Sequence, residues 1–177
     1  GWRRAQDGEG VVIGVHGEPG VGKTRLAMEL VRRGRADAAR VAVCTALDLG
    51  TGTPLSLWAE LVGNLLGGAG TGSPAPPADA TWPAALEVLV PDLELRLGRS
   101  PRPRVAWSPE LERVRLFEAT VAMLEWLAGH GPLLLVVEDL HCSYLSPWGG
   151  GIDRGDTSME FLKLLADFVN KPYWQRE

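Results

Sequence analysis

Eight consecutive residues, Gly17-Glu18-Pro19-Gly20-Val21-Gly22-Lys23-Thr24, constrain this chain more than any other feature. They fit the pattern G-x-x-x-x-G-K-[ST] in full, and the flanking sequence supplies the context the pattern needs. Before it, Val11-Val12-Ile13-Gly14-Val15 is a short apolar run rich in β-branched residues, which reads as a buried strand. After it, from Gly22, residues Leu26, Ala27, Leu30 and Val31 recur at helical spacing on one face. Arg32 and Arg33 suit the last turn of that helix, and Gly34 suits its C-cap. A strand–loop–helix of this kind is built to hold an anion. Glycines let the backbone wrap closely around a phosphate, successive N–H groups point inward as a nest, and the helix N-terminus adds its positive end. Gly17, Glu18, Pro19, Gly20, Val21 and Gly22 are therefore the expected cradle. Lys23 is expected to contact β- and γ-phosphates, and the Thr24 hydroxyl to ligate Mg²⁺.

The remaining elements follow the same alternation. Val41-Ala42-Val43-Cys44 reads as a second strand, Leu55 to Leu66 as a helix entered through Pro54, and Pro83 to Val90 as a short helix. From Glu110 to Ala128 a long helix is predicted, with Leu111, Val114, Phe117, Val121, Leu124 and Ala128 stepping by three and four. Gly129-His130-Gly131-Pro132 ends it, and Leu133-Leu134-Leu135-Val136-Val137 follows as a third apolar strand. A last helix is expected from Met159 to Val169, capped by Thr157 or Ser158. Apolar strands alternating with helices predict an α/β fold with a mostly parallel sheet. At 177 residues the chain suits one domain, 1–177, with flexible loops expected at about 67–81, 98–109 and 142–157.

Glu138-Asp139 closes the third strand. Two carboxylates at the C-terminal end of an apolar strand suit the task of holding Mg²⁺ and orienting water, since open α/β sheets bind ligands at strand C-termini. Glu138 is assigned to the metal with Thr24, and Asp139 to the attacking water. The more usual order places Asp first, so the division of labour between the two acids stays open. A polar pair that merely closes a strand is the plainer alternative.

Composition removes several classes. A net charge of −4 argues against general nucleic-acid binding. Charge is uneven: no Lys or Arg occurs between Val41 and Leu95, and then Arg96, Arg99, Arg102 and Arg104 fall close together. Interrupted by prolines, that cluster is read as a solvated loop, with a nucleic-acid contact or an arginine finger for a neighbouring subunit as rivals. No apolar run approaches the roughly 18 residues of a membrane span, and no signal-peptide core follows the N-terminus. Two cysteines, Cys44 and Cys142, make no disulfide framework, so a reducing cytoplasm with two thiols is the expectation. His16 is read as a strand-end residue and His141 as a residue that orients a loop. The seven Trp are assigned to packing. The missing initiator Met points to a piece of a longer protein.

Four stretches carry a resemblance to a known family: GEPGVGKTRLAMEL (17–30), CTALDLGTGTPLSLW (44–58), RVRLFEATVAML (113–124) and PLLLVVEDLH (132–141). Together they resemble the P-loop ATPase module of the AAA/STAND class, as found in large ATP-binding LuxR-type regulators and in cyclase-linked bacterial regulators. The resemblance implies a P-loop NTPase three-layer sandwich, ATP as ligand, Mg²⁺ as cofactor, and a nucleotide-driven switch coupled to sensor and output domains of the same full-length protein. It implies Walker A at 17–24 and Walker B at Glu138-Asp139. The sequence departs from the family pattern twice. Cys142-Ser143-Tyr144 and a Gly- and Pro-containing stretch follow DLH, as an insertion of roughly a dozen residues. The family also places a strand with a polar sensor residue between the P-loop strand and the Walker B strand, and no apolar run after Val169 matches it. The sheet is therefore expected to be incomplete on its C-terminal side. The expected activity is ATP binding with weak hydrolysis, contingent on that strand. A non-catalytic interaction fragment and a small P-loop kinase are the alternatives.

Overall fold

The structure is a computed structural model that describes residues 1–45, 56–66, 74–102 and 107–138. The expected helix at 159–169, the stretch at 142–157, and Asp139, His141 and Cys142 lie outside the described residues, as do parts of the 67–81 and 98–109 segments. Among the described residues the elements run α1 (Trp2–Gln6), α2 (Lys23–Ala36), β1 (Arg40–Thr45), α3 (Ser56–Leu66), α4 (Trp82–Leu86), α5 (Leu93–Arg96), α6 (Pro109–Ala128) and β2 (Leu133–Glu138). They form two compact units, divided at Pro54/Leu55 and at His130/Gly131.

In the first unit β1 and β2 pair in parallel, from Arg40 opposite Leu133 to Thr45 opposite Glu138. Ala42 and Cys44 alternate into the interior of β1, and the Cys44 thiol donates to the Val136 carbonyl at 3.6 Å. Parallel neighbours require a crossover, and the α/β reading of the sequence is met by this small sheet and its helices. Helix α2 packs on both strands through its C-terminal half, where Val31 and Gly34 are buried. Gly34 is an interior helical residue rather than the expected C-cap, because the helix continues to Ala36 and is capped at Asp37. A Cβ at Gly34 would stand 3.0 Å from Leu134 Cδ2 and 3.4 Å from Val41 Cγ2, so its missing side chain lets the helix approach the sheet. Helix α1 is tied to the same end, with Trp2 Nε1 donating to Asp37 Oδ2 at 2.6 Å.

The predicted strand at Val11–Val15 does not form. Residues 9–18 adopt no regular structure, and Val12 and Ile13 are 58% and 61% exposed. Among the described residues no strand lies beside this run, so no ladder satisfies its N–H and C=O groups. The expected apolar face of α2 is correspondingly half used: Leu26 is 58% exposed, while Val31, one and a half turns later, is buried.

The second unit is helical. Helix α3 buries Leu57, Trp58, Leu61, Val62, Leu65 and Leu66, the i, i+3, i+4 pattern of one apolar face. Helix α6 starts at Pro109 behind the N-cap Ser108, whose hydroxyl accepts from the Leu111 N–H at 3.4 Å. Its buried face differs from the expected stripe: Leu116, Ala119, Thr120, Met123 and Leu127 are buried with Val121 and Leu124, whereas Leu111, Val114 and Ala128 are exposed. Apolar residues nearly surround this helix between 116 and 127, so spacing alone sets its phase poorly. Thr120, fully buried, is satisfied by donating to the Leu116 carbonyl at 2.8 Å.

Helix α4 packs on α5 and α6. Two members of the arginine cluster, the half-buried Arg99 and the exposed Arg102, are tied to other groups of this unit. Arg99 donates to the carbonyls of Pro77, Ala78 and Ala80 at 2.7, 3.1 and 2.9 Å. The carboxylate of Glu94, completely buried, lies 3.8 Å from the Nε of both Arg99 and Arg102, and its Oε2 accepts from the Arg102 backbone N–H at 2.7 Å. Arginine suits this role because its fixed fork of donors reaches several acceptors together.

Candidate functional site

The loop before α2 has the conformation its glycines suggest. Gly20 and Gly22 sit at φ of 81° and 99°, where a side chain would strain the backbone although space is open around both. The Val21 N–H donates to the Glu18 carbonyl at 3.3 Å, closing a turn, and the Leu26 N–H donates to the Gly22 carbonyl at 3.0 Å, starting the helix. Gly22 is the N-cap and carries no side chain to satisfy the first-turn N–H groups. No acidic residue occupies that first turn either. The positive end of a 14-residue helix is thus left facing the loop without a compensating charge.

Lys23, the first residue of α2, turns back over this loop. Its ammonium donates to the carbonyls of Gly17 and Glu18 at 2.9 and 3.0 Å. Among the described residues it has no carboxylate partner. Thr24 follows it and is exposed, as are Gly17 to Gly22. Loop, lysine and helix N-terminus are therefore brought together along residues 17–24. His16 is exposed immediately before Gly17, consistent with a residue that leads into the loop.

On the outward face of α2, Arg32 grips Glu29 through two hydrogen bonds of 2.8 Å and Arg33 adds one of 3.0 Å. These guanidinium groups, Arg32 first, hold the Glu29 carboxyl down to about 2.

Glu138 is the last residue of β2 and stands opposite Thr45, at the C-terminal edge of the parallel pair. It is half-exposed. Among the described residues no hydrogen bond or ion pair joins Glu138 to Lys23 or Thr24, and no cluster of three or more His, Cys, Asp or Glu is present. The donor set still fits Mg²⁺. Magnesium takes hard oxygen ligands, keeps several waters, and commonly binds through one or two carboxylates together with substrate phosphates. An exposed hydroxyl at Thr24 and a half-exposed carboxylate at Glu138 are donors of that kind, and both belong to the first unit.

Sequence reasoning did not single out Glu94, or the cleft that Trp82 and Trp126 line with Asp79 and Glu125. The available signal was the unusual number of tryptophans, which spacing could not assemble because these two are 44 positions apart.

Among the described residues no helix is long and apolar enough to cross a membrane. Comparison with protein families finds a match to the AAA ATPase domain over residues 2–172. No curated protein and no solved structure shows a significant match.

Proposed function

The chain belongs to the AAA ATPase domain family, and we propose that it works as an ATP-binding, weakly hydrolysing switch within a larger cytoplasmic regulator. The observation that carries this reading is the loop at 17–24: positive-φ glycines, an uncapped helix N-terminus, and a lysine held only by backbone carbonyls. A triphosphate at this loop would offer Lys23 an anionic partner in place of the Gly17 and Glu18 carbonyls. The backbone N–H groups of Glu18 and of Gly20 to Thr24 would hold phosphate oxygens, and Lys23 would neutralise the β- and γ-phosphates. Thr24 and Glu138 would hold Mg²⁺, which supplies charge neutralisation between those phosphates. Asp139, directly after β2, would orient the attacking water.

The three-layer sandwich implied by the resemblance would bring β1, β2 and the run at 11–15 into one sheet. The stretches at 44–58 and 113–124 support the closer likeness to LuxR-type and cyclase-linked STAND regulators, in which sensor and output domains of the same protein would be the partners. Direct nucleic-acid contact by this segment is not part of the reading, since Arg99 and Arg102 are engaged by Glu94.

Thermal melting with and without Mg-ATP tests the proposal. Nucleotide at 100 times its Kd adds about 2.7 kcal/mol of stability, and the Asp139→Asn protein should keep that shift while losing turnover. Absence of any shift rejects nucleotide binding. One observation favours a second reading, a non-catalytic interaction fragment: among the described residues the run at 11–15, which should support the loop, is in no ladder. On that reading the melt is unmoved by Mg-ATP.

A further inference from the structure

Residues 11–15 have the composition of a strand and no ladder. Among the described residues the backbone of 10–16 makes no hydrogen bond. A Cβ at Gly14 would meet the His16 ring, with Nε2 at 3.1 Å, so positions 14 and 16 point to one side as in an extended chain. Val12, Ile13 and Val15 are exposed. Gly14 itself weakens pairing, because a glycine loses more conformational freedom on ordering and offers no side chain to pack. The segment is extended and apolar, but unpaired.

An edge that suits it lies in the same unit. β2 pairs with β1 on one side, and among the described residues its other edge has no partner. Leu133 to Val137 are aliphatic throughout, yet none of the six β2 residues is buried, whereas β1 buries Ala42 and Cys44. The run also begins near the start of β2. Val11 and Ile13 lie against Gly1, and the adjoining Trp2 meets Gly34 where Leu134 of β2 does. A parallel strand there needs a crossover, which the loop at 17–24 and α2 supply on the way to β1.

We infer, resting on the nucleotide reading of the 17–24 loop, that nucleotide binding folds residues 11–15 into a third, parallel strand along the free edge of β2. Without nucleotide, the Lys23 ammonium grips the Gly17 and Glu18 carbonyls directly after the run. Phosphates that take the ammonium release that grip. Thr24 and Glu138, sharing one Mg²⁺, then fix the loop at the C-terminal end of β2, which holds 11–15 alongside the strand. Nucleotide therefore binds the paired state more tightly than the open one, as any ligand that shifts an equilibrium must.

Hydrogen exchange of the full chain, read by mass spectrometry on peptides covering 9–17, tests this, with calorimetry on the same samples. The probe is Mg-AMP-PNP. Without it the amides of 11–16 should exchange as an unpaired segment, and at saturation they should slow at least about 100-fold. Gly14→Val should slow them without nucleotide and tighten Mg-AMP-PNP about two- to fivefold, because less ordering remains to be done on binding. The nearest atoms to a Cβ at 14 belong to the flexible His16 ring, which can give way. Ile13→Asn alters a residue that is 61% exposed in the open state, so melting without nucleotide should match the parent. Its affinity should fall about tenfold, since pairing now buries an amide. Calorimetric binding with unchanged exchange at 11–16, whether fast or already slow, overturns the inference and leaves the nucleotide reading standing. Parental affinity in Ile13→Asn overturns it as well. Absence of binding to the parent removes both.

Discussion

Two loops in this protein use the same device with different consequences. In the first unit Lys23 donates to the carbonyls of Gly17 and Glu18; in the second, Arg99 donates to those of Pro77, Ala78 and Ala80. Each cation ties down a turn of backbone by occupying its carbonyl oxygens. The difference is the countercharge. Arg99 has the carboxylate of Glu94 at 3.8 Å, in a setting where that carboxylate is removed from water, so exchanging partners would strand a buried charge. Lys23 is half-buried and has no acid beside it among the described residues, so a stronger anionic partner can take it at little cost. A cation held by neutral oxygens alone is exchangeable; one held by a buried carboxylate is structural.

The sharpest way to break this contrast is to remove the acid. Glu94→Ala leaves Arg99 and Arg102 without their buried partner and should lower the unfolding free energy by about 3–5 kcal/mol in urea denaturation. A loss below 1 kcal/mol would show that the Arg99 tie does not depend on that charge. Lys23→Ala should do the opposite. Its melting temperature without nucleotide should match the parent, while calorimetric affinity for Mg-ATP falls about 100-fold, equivalent to about 2.7 kcal/mol of charge-assisted hydrogen bonding. Unchanged affinity would remove Lys23 from the phosphate site.

Gly34→Leu probes how the first unit supports its loop. The new side chain meets Leu134 and Val41 where even a Cβ stands at 3.0 and 3.4 Å, so overpacking should cost about 1–3 kcal/mol by chemical denaturation. If the variant proves as stable as the parent, α2 does not rest on the sheet as closely as described. The smallest effect concerns Glu29. Its folded pKa of about 2 lies below the ordinary 4.5, so its pairing contributes fully above pH 4.5 and fades as the pH falls toward 2. The melting difference between the parent and Glu29→Gln should therefore be small near neutrality and vanish by about pH 2. A difference that persists at pH 2 would assign the effect to something other than the Arg32 and Arg33 pairing.

Local chemistry was legible in advance where it is written in adjacent residues. The loop at 17–24 could be read directly, because positive φ demands glycine and a helix start demands nothing more distant than the next turn. The strand at Arg40–Thr45, the helix at Ser56–Leu66 and the strand at Leu133–Glu138 came from their apolar runs to within a residue or two. The helix beginning behind Ser108 was equally visible, but its buried face was not, since Leu116, Met123 and Leu127 compete with Val121 and Leu124 for the interior.

The sequence by itself determined the glycine-shaped loop at 17–24, membership of the AAA ATPase domain family and the positions of most elements, which are written in stretches of adjacent residues. Tertiary structure alone decided three further matters. Val11–Val15 has strand character, but a strand exists only against a neighbour, and pairing is a property of residues far apart in the chain. Arg99 looks solvated until Glu94 is buried beside it, while Arg102 stays exposed at its edge. Trp82 and Trp126 are ordinary core candidates until α4 packs on α6 and places both along one acidic cleft. In each case the deciding energy comes from burial and long-range pairing, which local spacing does not encode.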